Sequence, residues 1–325
     1  MMGSMDAFDL VVRDEPLPTL FRLDDVPPRR LRVGAVQCAW HLDPVEHADT
    51  LRAGVARAAD HGAQVVVLQE LTLSPYFCVA PDVDDALDRY GEELDDGPTI
   101  TLARQMAAAH GIDVHASLYE RTADGRGFNT AICVDASGRL LSTTRKTHIP
   151  EFEYYHEDRY FEPADTDAEV VEVAGARFAF PTCWDQWFPE LARSLSMAGA
   201  EVIVYPTAIG SEPHVPDVDT QPMWHQMIVA NGLANATFMV AVNRIGTEGP
   251  ITFYGSSFVS DPYGRVVVEA SRDRPAVLVA ELELSQRDDW LSFGLLYTRR
   301  PARYRRLLET TDLGRPRRAP PERRG

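Results

Sequence analysis

The sequence predicts an α/β fold, a mixed sheet with helices on its faces. Three observations predict it. Apolar runs of strand type alternate with helical spacing through the first half of the chain, and hairpins are mixed in later. No linker and no repeat of roughly 20–50 residues divides the chain. Its 325 residues, 45% hydrophobic, suffice to bury one substantial core.

The elements follow in order. After a polar, Pro-rich lead, "LRVGAVQCAW" (31–40) reads as a buried strand. "DPVEHADTLRAGVARAADHG" (43–62) has helical spacing, capped by Asp43, with Pro44 in the first turn and Gly62 at the stop. "QVVVLQE" (64–70) is a second interior strand. A helix near 98–110 leads to a strand at 112–119. Two strands in 128–146 join at Ser-Gly, and two in 169–183 join at Ala-Gly. A helix at 188–199 precedes the strand "EVIVYPT" (201–207), and a longer one at about 219–237 precedes "FMVAVNR" (238–244). Strands near 252–260, 264–270 and 276–283 finish the regular part. Residues 1–30 read as an N-terminal extension, 31–308 as the domain, and 309–325 as an Arg- and Pro-rich tail. Low order is expected in both flanks.

Charge narrows the function. A net charge of −17 argues against nucleic acid or an anionic membrane as partner. Positions 299–325 hold ten arginines and three acids, so the body is more acidic than the total. Cys38, Cys78, Cys133 and Cys183 form no C-x-x-C pair, which points to neither zinc nor disulfides. The nine histidines show no H-E-x-x-H spacing, so no metal and no cofactor are expected. The first thirty residues contain no signal-like apolar run, and no stretch approaches the ~18 apolar residues of a membrane span. A soluble, cytoplasmic protein is expected.

Active sites of α/β sheets collect at the carboxyl ends of strands. The last residues of three confident strands are Glu70, Lys146 and Cys183, each followed by an irregular, Pro-containing stretch. Lys146 is the sole lysine among 32 Lys plus Arg residues. Cys183 is the candidate nucleophile, with a helix N-terminus and a nearby cation both favouring its thiolate. Glu70 is the candidate general base. Lys146, a compact point charge, suits the oxyanion of a tetrahedral intermediate better than a broad guanidinium does. The bland readings are a buried thiol, a solvated strand end and an accident of codon usage. Cys38 and Cys133 read as small buried hydrophobes.

With their flanks, these residues resemble the nitrilase (carbon–nitrogen hydrolase) superfamily. "VVVLQELTLSPYFC" is similar to its glutamate strand, "RKTHIPE" with "EDRYFEPAD" to its lysine block, and "CWDQWFPELAR" to its nucleophile block. The similarity runs from about residue 31 to about 308. It implies an α-β-β-α sandwich with Glu70, Lys146 and Cys183 as triad and Glu157 positioning lysine and substrate. It also implies that the Trp184 backbone N–H joins the oxyanion hole and that His148 supports its loop. Tyr76, Asp185 and Thr207 are further candidates for substrate binding or loop support. Homodimers or higher homo-oligomers are usual in the family.

Within the superfamily, "CWDQWFPE", "YPTAIGSEP" and "RIGTEGPITFYGSSFVSDPYG" are most similar to the N-carbamoylputrescine amidase branch. The expected reaction is cleavage of the ureido group of an N-carbamoyl amine to amine, carbon dioxide and ammonia. Trp184, Asp185, Gln186 and Trp187 place no cation after the nucleophile, where branches acting on N-carbamoyl amino acids hold a carboxylate. Glu151, Glu153, Glu157, Asp158, Glu162 and Asp165 predict an acidic mouth for a cationic small molecule. Two stretches depart from the branch: the bulky "HIPEFEYYHED" loop, which could narrow the pocket, and Pro181 with Thr182. The alternatives are an N-carbamoyl amino-acid hydrolase, an ω-amidase, or a non-catalytic binding protein on the same fold.

Overall fold

The computed structural model describes residues 8–21 and 27–309. The chain runs β1 (Asp9–Arg13), β2 (Arg30–Gln37), α1 (Pro44–Asp60), β3 (Val65–Val67), α2 (Ala86–Tyr90) and β4 (Gly91–Glu92). It continues through α3 (Pro98–His110), β5 (Asp113–Arg121), β6 (Gly127–Val134), β7 (Leu140–Arg145), β8 (Val171–Val173) and β9 (Ala176–Ala179). Then come α4 (Pro189–Met197), β10 (Val202–Thr207), α5 (Gln221–Asn235), β11 (Phe238–Asn243), β12 (Ile245–Glu248) and β13 (Ile251–Tyr254). It ends with β14 (Phe258–Ser260), β15 (Val266–Glu269), β16 (Ala276–Glu283) and α6 (Ser285–Ser292).

Two mixed sheets form, where residue patterning alone read one. The first has the order β1-β16-β2-β3-β5-β6-β7, with β4 on β5; the second is β15-β14-β11-β10-β9-β8. Alternation along the strands explains their near-continuous apolar runs. Val202 and Val204 of β10 join Val33, Ala35, Val65 and Val67 of the first sheet in the core between the sheets. Ile203 and Tyr205 face the other way, onto Ala192 and Leu195 of α4 and Trp224 and Ile228 of α5. Val36, Val66 and Val114 likewise meet Leu51 and Val55 of α1 and Ile100 and Met106 of α3. A strand buried on both faces loses its period-2 signal. The result is an α-β-β-α sandwich.

Local chemistry sets the boundaries. The Asp43 carboxylate accepts from the amides of Val45 (2.8 Å) and Glu46 (3.2 Å), closing the start of α1. Gly62, at φ +81°, reverses the chain after it. The strand expected near 252–260 is two strands. Gly255 and Ser256 sit at φ +48° and +56°, and a Cβ at Gly255 would stand 2.8 Å from the Arg272 carbonyl oxygen, so the chain leaves β13 and re-enters the second sheet as β14. Low order is also wrong for residues 9–13, which pair in parallel with β16 from Asp9↔Ala276 to Arg13↔Ala280. The tail beyond 309 lies outside the described residues. Cys38 and Cys133 are fully buried among apolar neighbours, as expected.

Candidate active site

Glu70 and Cys183 each lie beyond the strand expected to end on them. β3 stops at Val67, and Glu70 sits in the following turn, where Leu71 holds φ +48°. A left-handed leucine is strained, and buried polar contacts fix it. Arg244, fully buried, donates through Nη2 to the carbonyls of Glu70 (2.7 Å) and Leu71 (3.1 Å). Its Nη1 pairs with Glu248 Oε1 at 2.6 Å, and Glu248 Oε2 accepts the Tyr76 amide at 2.7 Å. Lys146 follows the last residue of β7, its amide donating to the Asn129 carbonyl at 2.8 Å. Cys183 opens a five-residue 3-10 turn (Cys183–Trp187) at φ +41°, four residues after β9 ends.

The side chains converge. Lys146 Nζ donates to Glu70 Oε1 at 2.9 Å and to Glu157 Oε2 at 2.7 Å, with all three groups buried. Asn129 Nδ2 gives Glu70 Oε1 a second hydrogen bond, at 2.7 Å. Tyr76 donates its hydroxyl to Glu157 Oε1 at 2.8 Å. Glu70 Oε2 is buried with no hydrogen-bond partner among the described residues. One carboxylate oxygen is therefore fully engaged and the other is left for chemistry.

Burial works to lower the Lys146 pKa, but the Glu157 and Glu70 carboxylates more than offset it, so the ammonium is held charged. Burial raises the Glu157 pKa, with Lys146 pulling it down and Glu70 pushing it up. Burial, followed by Glu70, drives the Cys183 thiol well above the usual range; Lys146 and the Ala208 amide act the other way. Burial thus works against the thiolate that the sequence reading expected a helix N-terminus and a cation to favour. The 3-10 turn is too short for a substantial dipole, and desolvation outweighs the single cation. Such a thiol needs a base to remove its proton.

Asp185 ties two loops together. Its Oδ2 accepts the amides of Thr182 (3.0 Å) and Thr147 (3.3 Å), and its Oδ1 accepts the amide (2.9 Å) and ring Nδ1 (2.8 Å) of His148. The His148 ring stacks on Phe188 with centroids 3.6 Å apart. Thr207 is buried in β10, its hydroxyl donating to the Tyr205 carbonyl at 3.0 Å, and it does not line the cavity.

That cavity, about 450 Å³, is lined by Pro150, Phe152, Tyr155, Glu157, Cys183, Trp184, Trp187, Ile209, Glu212, His214, Thr220 and Met223. The acidic-mouth expectation is corrected in its residues. Glu162 and Asp165 face Arg126, Asp165 also pairs with Arg145, and Asp158 pairs with Arg159. Glu151 and Glu153 are exposed and do not line this cavity, while Phe152 and Tyr155 wall it. Besides Glu157, the acid in its lining is Glu212, half-buried, with Oε2 unpartnered among the described residues. Sequence reasoning missed Glu212, Asn129 and Arg244. A single Arg among 31 and a Glu in a loop carry no signal of their own.

The carbon-nitrogen hydrolase family profile matches residues 32–291. The chain belongs to that family. An N-carbamoylputrescine amidase of Arabidopsis thaliana is 37% identical, over 86% of this chain and 96% of that relative. A citrullinase of Francisella tularensis is 34% identical, over 84% and 96%. The crystal structure of a Helicobacter pylori carbon-nitrogen hydrolase superposes with a TM-score of 0.77 at 27% identity, covering 86% of this chain and 99% of that one. The protein is a hydrolase of carbon–nitrogen bonds other than peptide bonds.

Proposed function

We propose that this hydrolase cleaves the ureido group of an N-carbamoyl amine with a cationic tail, with Cys183 as nucleophile. The observation that carries the reaction is the buried Glu70 Oε2, without a hydrogen-bond partner among the described residues, on the carboxylate whose other oxygen engages the Lys146 ammonium; burial of the Cys183 thiol favours its protonated form. Glu70 takes the thiol proton as Sγ attacks the ureido carbon. Lys146 Nζ and the Trp184 amide hold the resulting oxyanion. The tetrahedral species collapses, breaking a C–N bond, and Glu70 returns the proton to the departing nitrogen. Water, deprotonated by Glu70, then attacks the thioester-like carbon and frees the thiol. The carbamic acid released falls apart to carbon dioxide and the remaining amine or ammonia. Glu157, with Tyr76, fixes the Lys146 rotamer. Asp185 and His148 hold the loops.

The tail reading rests on the cavity wall. It carries Glu212 and, among the described residues, no arginine or lysine. Ammonia release would be measured from N-carbamoylputrescine, N-carbamoyl-β-alanine, an N-carbamoyl α-amino acid and a simple amide, with Cys183→Ala as blank. Preference for the cationic compound is expected. Preference for either N-carbamoyl acid, or for the amide, would overturn the tail reading.

The protein is further proposed to be a homo-oligomer in the cytoplasm. Phe293, Tyr297, Leu307 and Leu308 are 65%, 77%, 63% and 92% exposed, and a cluster of exposed large apolar side chains is the kind of surface that a partner subunit covers. The four cysteines are unpaired, as suits a reducing compartment.

A further inference from the structure

The segment between β10 and α5 starts beside Cys183, whose thiol the Ala208 amide contacts, lines part of the cavity, and is pinned at both ends. Gly210 bridges to Phe253, and the Ser211 amide donates to the Thr252 carbonyl at 2.8 Å. The Ser211 hydroxyl accepts the Thr252 amide at 3.0 Å. At the other end the Arg272 guanidinium grips both oxygens of Asp219, at 2.8 and 2.9 Å. Between these anchors the segment presents two ionisable side chains to the cavity, Glu212 and His214. Burial raises the Glu212 pKa, and His214 acts electrostatically against that rise. It is exposed, and it is the sole basic side chain among the described residues lining the cavity.

A monocationic tail makes use of Glu212 alone. A tail bearing an ammonium and a carboxylate on one carbon would match the carboxylate and imidazole together, two residues apart on one loop. We propose that Glu212 and His214 form a two-charge subsite, with His214 the residue that sets how well a δ-ureido α-amino acid is taken relative to an ω-ureido amine. The inference rests on the ureido reading above. It concerns the tail, ahead of the chemistry at Cys183, so its effect falls on KM.

Two probes differ by one group. L-Citrulline is N-carbamoylputrescine with a carboxylate added to the carbon that bears the amine. The measured quantity is the ratio of kcat/KM for citrulline to that for N-carbamoylputrescine, in wild type, His214→Arg and His214→Gln. A permanent guanidinium is expected to raise the ratio and a neutral amide to lower it, each by roughly two- to fivefold, the scale of a partly solvated ion pair. The change should sit in KM with kcat nearly constant. A ratio unmoved by both substitutions, or wild type hydrolysing N-carbamoylputrescine and not citrulline, overturns the subsite and leaves the ureido reading standing. Wild type hydrolysing neither overturns both.

Discussion

Adjacent cations at the end of β7 do different work, which explains the single lysine. Arg145 uses its fork: Nε and Nη2 engage the two oxygens of Glu120 at 2.8 and 2.5 Å, and the guanidinium lies 3.9 Å over the Phe128 ring. Lys146 instead threads one nitrogen between two carboxylates in a space with no solvent access. A guanidinium there would overpack the site and move the charge away from the ureido oxygen. Lys146→Arg is therefore expected to remain folded by circular dichroism and to lose about 100-fold or more in kcat. Cys183 gives a second test at this scale. Because burial raises the pKa of its thiol, alkylation of the free enzyme by iodoacetamide should be slow at neutral pH and accelerate as pH rises. A rate already at its plateau at neutral pH would mean a resting thiolate. Lys146 and Cys183 stood out in the sequence because lysine and cysteine are rare in this chain, and Glu70 because it ends an apolar run just before a Pro-containing stretch. Their partners did not. Asn129, inside an apolar strand, and Arg244, one arginine of many, acquire meaning only through contacts across more than fifty residues.

Elements were legible where a local chemical signal marks them. Asp43, Pro44 and Gly62 bracket α1, and Pro98 and Gly111 bracket α3, because caps and turns act over a few residues. β1 and the break between β13 and β14 were not, since one depends on β16 and the other on contacts with Gln37 and Arg272. The turn after β3 shows why such contacts matter. Its strained Leu71 and the carbonyl of the proposed base both hang on Arg244. Arg244→Lys keeps the charge but leaves carbonyls of that turn unpaired. A loss of about 2–4 kcal/mol in chemical denaturation is expected, with a fall in kcat. Unchanged kcat would show that the turn holds itself.

The whole molecule is a sandwich whose two-sheet architecture came from the family resemblance rather than from periodicity, which doubly buried strands erase. Its dry interior also shapes pH stability. His115 is fully buried against Phe180 with neither ring nitrogen partnered among the described residues, and burial pushes its pKa down to about 3; His47 is pushed down to about 4. Below their ordinary value of 6.5 the unfolded chain binds protons that the folded chain refuses, so stability falls as pH drops through that window toward the folded values. His115→Phe should make the unfolding free energy less steeply dependent on pH between about 6 and 4. An unchanged slope would place the acid sensitivity elsewhere. At the same scale, Leu307→Asp with Leu308→Asp should lower the particle mass in light scattering if the exposed C-terminal segment is an oligomer contact. No change in mass would remove that segment from the assembly.

The covalent step at Cys183 is tested by peptide-mapped mass spectrometry of enzyme quenched during turnover of N-carbamoylputrescine. An S-carbamoyl adduct, still carrying the nitrogen not yet expelled, is expected on the Cys183 peptide alone and absent from Cys183→Ala, which should also release no ammonia. Product formed by Cys183→Ala, or an adduct on Cys38, Cys78 or Cys133 instead, would contradict that step.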